Sequence, residues 1–295
     1  MNDILHALAF IVSFGALFLS IIILEAWYWH RKGRKGAYRL KETLANIATG
    51  GLYKVFDGIA VAVFIQFFYD AVKPYGFQYQ PELNFLNIVF LFIAVDFFFY
   101  WYHMATHKIR WLWAIHVTHH SSKIMNFSTA LRQNFLIDLN FGWTLWWLPL
   151  AVIGFDKNWT LIAIELSLAY QFFLHTEVVK RLGVFEWIFN TPSHHRVHHG
   201  CKPEQIDTNY GGVLIIWDRI FGTFVDENDA GEIEYGLTNR QPTTLNPLRL
   251  NLDEFFQMLK DVVTYKDLKI LYKSPDYVEH VYRADPNRGR SSTSL

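Results

Sequence analysis

The sequence predicts an all-α integral membrane protein, a bundle of about four to five transmembrane helices carrying a histidine-rich, two-metal cap on its cytoplasmic side. Three observations lead there. Of 295 residues, 52% are hydrophobic and 18% aromatic against 18% charged, and mean hydropathy is +0.10, more apolar than a soluble domain of this length. Several apolar stretches approach the roughly 20 residues that cross a hydrocarbon core. Ten of the 13 histidines fall between His103 and His199.

In chain order, Ile4 to Leu24 is apolar, broken only by His6, small residues and serines. It has no basic stretch before it and no small-residue cleavage site after it, so residues 1–30 read as a retained anchor rather than a removable signal. The cluster Arg31, Lys32, Arg34, Lys35, Arg39 and Lys41 places the end of this span in the cytoplasm by the positive-inside rule. Further spans are expected over Val55–Val72, Leu83–Tyr102, Phe135–Phe155 and Trp159–Leu174. Asp138, Asn140, Glu165 and Gln171 interrupt the last two, for which half-depth hairpins are the competing reading. Lys73 to Glu82 and Asp156 to Asn158 suit the external side, whereas Lys108, Arg110, Lys123 and Arg132 suit the cytoplasmic one. Alternating crossings then bring every histidine group to the cytoplasmic face of a bacterial inner membrane or an endoplasmic reticulum.

A histidine-box region is expected over 39–224 and a cytoplasmic cap over 225–282, together a single domain over 1–282. Within the cap, Asn251 and Glu254 read as a capping box opening an amphipathic helix with Leu252, Phe255, Phe256, Leu259, Val262 and Val263 on one face. The polar tail 283–295 is expected to be disordered. Lysine plus arginine and aspartate plus glutamate both number 27, so nothing suggests nucleic acid as a partner. The single cysteine, Cys201, forms no internal disulfide.

The histidines form three boxes: His103/His107, His116/His119/His120 and His194/His195/His198/His199, with His175 between the last two. Residues three or four apart share a helix face, so each box converges. Together they supply more imidazoles than one four-coordinate ion uses, which points to two metals. Imidazole suits zinc, copper, iron and nickel alike. The first box lacks the glutamate of His-Glu-x-x-His, so hydrolysis is poorly served. The Glu-x-x-His pairs of soluble di-iron carboxylate proteins are also absent. Asp96 and Tyr100 recur with His103 and His107 on one helical face, and an acid within a span is costly without a task, so Asp96 is expected to orient the first ligands directly or through Tyr100. Asn126 and Asp138 are further candidates for supporting the centre.

Those boxes and their flanks resemble the sterol desaturase and fatty acid hydroxylase superfamily. The resemblance rests on Asp96-Phe-Phe-Phe-Tyr100-Trp-Tyr-His103-Met-Ala-Thr-His107, Trp113-Ala-Ile-His116-Val-Thr-His119-His120, Thr129-Ala-Leu-Arg132-Gln133 and His175-Thr-Glu177. It continues through Thr191-Pro-Ser-His194-His195-Arg-Val-His198-His199-Gly200 and the stretch from Asn209 to Phe224. The third box is most similar to the alkylglycerol monooxygenase branch and its bacterial members.

The resemblance implies a membrane-bound, non-haem di-iron oxygenase that hydroxylates an alkyl lipid, fatty acyl chain or sterol-like substrate, with O2 as co-substrate. It implies two iron ions, which zinc replaces on purification, held by His103, His107, His116, His119, His120, His175, His195, His198 and His199. His194 is left as a tenth ligand, an outer donor or a proton shuttle. Lys108 stands where the monooxygenase branch commonly has glutamate, which weakens transfer of that branch's substrate and pterin reductant. Electrons are expected from a cytoplasmic donor: a reductase, a cytochrome b5-like or ferredoxin-like protein, or a reduced pterin. Desaturation by the same centre is the nearest rival. Metal transport fits less well, because transporter sites lie near the bilayer midplane between repeated halves and these histidines sit at span ends without a repeat.

Overall fold

The structure is a computed structural model that describes residues 2–79, 81–82 and 84–284, with side chains from residue 15 onward except at Gln66. The described residues are helical and contain no strands, only isolated bridges between Phe189 and Leu214 and between Gly200 and Tyr235.

Helix α1 (Asn2–Arg31) contains the first predicted span. Helix α2 (Leu40–Ala60) continues through one π turn (Val61–Ile65) into α3 (Gln66–Val72). Asn84 caps α4 (Phe85–Lys108), accepting from the Asn87 amide at 3.0 Å. The stretch from Lys35 to Tyr75 and α4 are long and apolar enough to cross a membrane. At 24 residues α4 is about 36 Å long, against roughly 30 Å of hydrocarbon.

The predicted span Phe135–Phe155 is corrected. Residues 135–143 run through turns, and only α6 (Thr144–Ile153) is helical. Ten residues reach about 15 Å, half the core, a length that fits the half-depth alternative. Gly154, at φ +111°, ends α6. Asp156 then caps α7 (Lys157–Phe172), accepting from the Asn158 and Trp159 amides. The core fills the space between α3, α4, α6 and α7 with Tyr69, Leu91, Val95, Phe99, Trp147 and Leu150. Glu165, an imperfection in its apolar stretch, pairs with Lys54 of α2 at 3.2 Å.

Ile109, extended at φ −113° and ψ 118°, is the only residue between α4 and α5 (Arg110–His120). That one-residue corner folds the second box back over the first. Helices α8 (Pro192–His198) and α9 (Ile216–Phe221) follow, then α10 (Pro247–Tyr265) and α11 (Lys269–Tyr272). Helix α10 begins four residues before the predicted capping box. Asn246 is the cap, accepting from the Leu248 and Arg249 amides, with Pro247 at the first helical position. Asn251 lies inside the helix, where its oxygen accepts from the Phe135 amide. The buried Arg110 ties α5 to α10 through Glu254 at 2.8 Å and Asp261 at 3.1 Å. Arg283 closes a π turn over Glu279–Arg283, which corrects the start of the predicted disordered tail; residues 285–295 lie outside the described residues.

Candidate metal centre

The histidines gather into two adjacent groups. His103 and His107 from the end of α4, His116 and His120 from α5 and His198 from α8 form one; His119, His175, His195 and His199 form the other. Within each group the candidate ligand atoms all lie within 4.8 Å of one another. Helical spacing explains the division. His116 and His120 are four apart, about 40° from each other around α5, and His119 is offset to the other side of His116, about 100° from His120. On α8 the pattern inverts: His195 and the capping His199 serve the second group, and His198 the first. The His120 and His199 rings stack between the groups, with centroids 4.3 Å apart.

The second ring nitrogens fix the imidazoles. The Nδ1 atoms of His103, His119, His175 and His198 meet the backbone carbonyls of Tyr210 at 2.8 Å, Arg132 at 3.2 Å, Gln171 at 2.9 Å and Thr208 at 2.8 Å. A carbonyl only accepts, so His103, His175 and His198 carry the proton on Nδ1 and in the neutral ring leave a bare lone pair on Nε2, whereas His119 Nδ1 also lies 3.2 Å from the Gln133 amide nitrogen, which only donates. The Nε2 atoms of His119 and His175 nonetheless approach to 3.1 Å. Further Nε2 contacts join His175 to His195 at 2.9 Å, His195 to His199 at 3.1 Å and His116 to both His103 and His120 at 3.2 Å. The single lone pair of His175 Nε2 thus faces two imidazole nitrogens, which one proton cannot bridge and a shared cation can.

An extra proton is a poor cation here. Burial pushes His116, His119, His120, His195 and His199 well below the usual imidazole range, His175 down to about 4 and His198 to about 3. A metal ion fits. Imidazole nitrogens about 2.0–2.1 Å from a tetrahedral zinc are roughly 3.3 Å from each other, close to the observed contacts.

The remaining predicted residues are placed elsewhere. His194 belongs to neither group; its ring meets Phe224 edge-on with centroids 5.3 Å apart, and neither ring nitrogen has a hydrogen-bond partner. Asp96 does not touch His103. Its carboxylate accepts from the Val213 amide at 2.7 Å, the Leu214 amide at 3.0 Å and Trp217 Nε1 at 2.9 Å. It therefore anchors the chain that follows the Tyr210 carbonyl, and its service to His103 is indirect. Tyr100 likewise bonds Thr223, at 3.0 Å, instead of a histidine. The expected support from Asn126 is corrected: its side chain caps the 3-10 helix Phe127–Leu131 and donates to the Ala37 carbonyl at 2.7 Å. Asp138 is buried but bonded to no histidine, and its Oδ2 has no hydrogen-bond partner.

Four supports escaped the sequence reading. Asp218 accepts from the Tyr210 and Gly211 amides, each at 2.7 Å, and from Thr223 at 2.6 Å, shaping the loop that presents the carbonyl to His103. Its signal was an acid closing the apolar run Val213–Trp217. Gly212 lets that loop lie against α4; a Cβ there would stand 2.7 Å from the Phe99 ring. Asp207 pairs with Lys108 at 2.6 Å beside His107. Glu25 of α1 accepts from Tyr38, from the Phe127 amide and from Thr176, the neighbour of His175.

Residues 88–223 match the family model described as fatty acid hydroxylase. The chain is 41% identical over 238 residues to alkylglycerol monooxygenase from Xenopus tropicalis, covering 78% of this chain and 49% of that protein. Identity to the Homo sapiens alkylglycerol monooxygenase is 37% over 246 residues, covering 82% and 53%. An ornithine lipid hydroxylase from Rhizobium tropici is 30% identical over 154 residues, covering 52% and 46%. The chain thus spans about half the length of these curated relatives. No solved structure matches it. Together with the paired histidine groups, the match over 88–223 identifies a fatty acid hydroxylase domain, and with it the sterol desaturase and fatty acid hydroxylase superfamily.

Proposed function

We propose that this chain is a membrane-bound di-iron lipid hydroxylase. Two all-imidazole groups would hold one iron each: His103, His107, His116, His120 and His198 the first, His119, His175, His195 and His199 the second. The reading is carried by the buried Nε2 of His175, which faces Nε2 of His119 at 3.1 Å and of His195 at 2.9 Å while its outer nitrogen is committed to the Gln171 carbonyl. Two irons so held would supply reductive activation of O2, with one oxygen atom going into an unactivated C–H bond and the other leaving as water at the expense of two external electrons.

The chain's own residues set the conditions for that chemistry. Backbone carbonyls lock the ring tautomers and so direct Nε2 inward. Burial keeps the imidazoles neutral at pH 7 and able to ligate. Arg132, buried and bonded to Glu42 at 3.2 Å and Asn46 at 3.1 Å, holds the carbonyl that orients His119. The relatives whose names specify a hydroxylation or monooxygenation act on an ornithine lipid and on alkylglycerols, which supports a lipid substrate drawn from the bilayer. Electrons would come from a separate donor on the cytoplasmic side, where the topology read from the sequence places the boxes.

The test uses full-length chain in lipid vesicles, with iron, O2 and a reducing system. Lipid mass spectrometry should find a product that gains one oxygen atom, and His119→Ala should abolish it and lower bound metal. Product formed at the parent rate by the His119→Ala protein, or metal-independent product, would overturn the assignment.

A further inference from the structure

The segment between α7 and α8 is built with its polarity reversed. Leu182, Val184, Phe185, Trp187, Ile188 and Phe189 are exposed, Val184 to 77% and Trp187 to 68%, whereas Glu186 in their midst is 3% exposed. The buried glutamate holds the segment from within. Its carboxylate accepts from the Leu182 amide at 3.0 Å, from Thr191 at 3.0 Å and from Arg181 at 3.2 Å. Gly183, at φ +65°, makes the turn, and the Ile188 and Phe189 amides both return to the Phe185 carbonyl. In water this arrangement exposes apolar surface for no gain. In lipid it is required, because backbone polar groups must be satisfied internally and apolar side chains must face out.

Depth is set by α4. The chain at 188–190 pairs with 213–215, through Ile215 N to the Ile188 carbonyl at 2.9 Å and Asn190 N to the Val213 carbonyl at 2.8 Å. Asp96 of α4 in turn binds the Val213 and Leu214 amides. Asp96 precedes His103 by seven positions, about 10 Å along the helix, so these segments lie beside a stretch of α4 inside the apolar span. Helix α9 extends the surface: Ile220 is 65% exposed, and the Trp217 and Phe221 rings pack on Phe97 and Trp101 of α4. Arg219 lies over the Trp187 ring, 5.2 Å from its centroid, and donates to the Glu186 carbonyl at 3.1 Å, tying α9 to the segment.

We propose that residues 182–189 together with α9 form an in-plane element embedded in the leaflet around the histidine end of α4. Its partner is the hydrocarbon of the bilayer, met by a surface continuous with the outer face of α4. Such an element sits about 5–10 Å below the headgroup boundary.

The test is collisional accessibility of nitroxide labels on the full chain in phosphatidylcholine vesicles. Cys201 is the only cysteine, so Cys201→Ser gives a background for single cysteines at positions 184, 185 and 220, with Cys201→Ala as a second background. Labels at Phe90 on α4 and at the highly exposed Glu232 serve as lipid and water references, and bound metal equal to the parent's certifies the fold. The oxygen-to-nickel-chelate ratio at all three positions should match Phe90 and exceed Glu232 several-fold. A ratio like that of Glu232 would overturn the proposal. So would low accessibility to both reagents with spin–spin broadening, which would put a second copy of the chain on this surface. Neither outcome depends on whether the centre hydroxylates.

Discussion

Replacing Asp218 by asparagine should weaken the five-histidine group and spare the four-histidine group. Asp218 makes no contact with a histidine, yet its two oxygens receive the Tyr210 and Gly211 amides at 2.7 Å each and the Thr223 hydroxyl at 2.6 Å. The Tyr210 carbonyl then receives His103 Nδ1 at 2.8 Å. Asparagine keeps the shape but turns one acceptor into a donor that must face a backbone N–H. One charge-assisted bond is lost and a buried amide is left unpaired, at a cost of roughly 2–3 kcal/mol. Groups that orient a metal-bound histidine are typically worth about 10–100-fold in metal affinity. Competitive titration of the metal-free protein with a chromophoric chelator should show one weakened and one unchanged site, and Asp218→Glu should recover less than the parent. Equal loss at both sites, or none, would refute the chain of contacts from Asp218 to His103.

Other outcomes follow from the same geometry. Gly212→Ala puts a Cβ 2.7 Å from the Phe99 ring and 3.0 Å from Asp96 Oδ1; it should lower thermal stability by about 1–3 kcal/mol, measured by detergent-phase unfolding. His194→Gln should keep two metal equivalents by elemental analysis, because that ring lies outside both groups. Acid should destabilise the metal-free fold. The group histidines outside the spans are depressed when folded, His175 to about 4 and His198 to about 3, so the unfolded chain binds more protons below about pH 6.5 and stability falls as pH drops toward those values. His175 alone accounts for roughly 3 kcal/mol across that window. Equal unfolding midpoints at pH 7 and pH 4.5 would contradict buried, neutral imidazoles.

The nine clustered histidines were legible because a helix turns spacing into direction: four-residue and three-residue intervals assigned His116, His119 and His120 to a common end before any coordinates. Their division between two groups was not, since it depends on how α5 and α8 cross. Asp96 stood out as an acid in an apolar span, but its partners are backbone amides more than a hundred residues away, and periodicity along one helix cannot reveal those. The carbonyls of Tyr210, Thr208, Arg132 and Gln171 were invisible because every residue has one. Hydropathy marked Phe135–Phe155 as a span, yet it does not register that Asn134, Asn140 and Gly142 break the backbone. Asn134 Oδ1 accepts from the Leu136 amide at 2.9 Å and Asn140 Oδ1 from the Gly142 amide at 2.8 Å, local bonds that compete with the helix.

Helices α5 and α8 each lend imidazoles to both histidine groups. A tilt of either rod would therefore displace side chains of both pockets at once, whereas a shift of the loop at Tyr210 reaches only the His103 side.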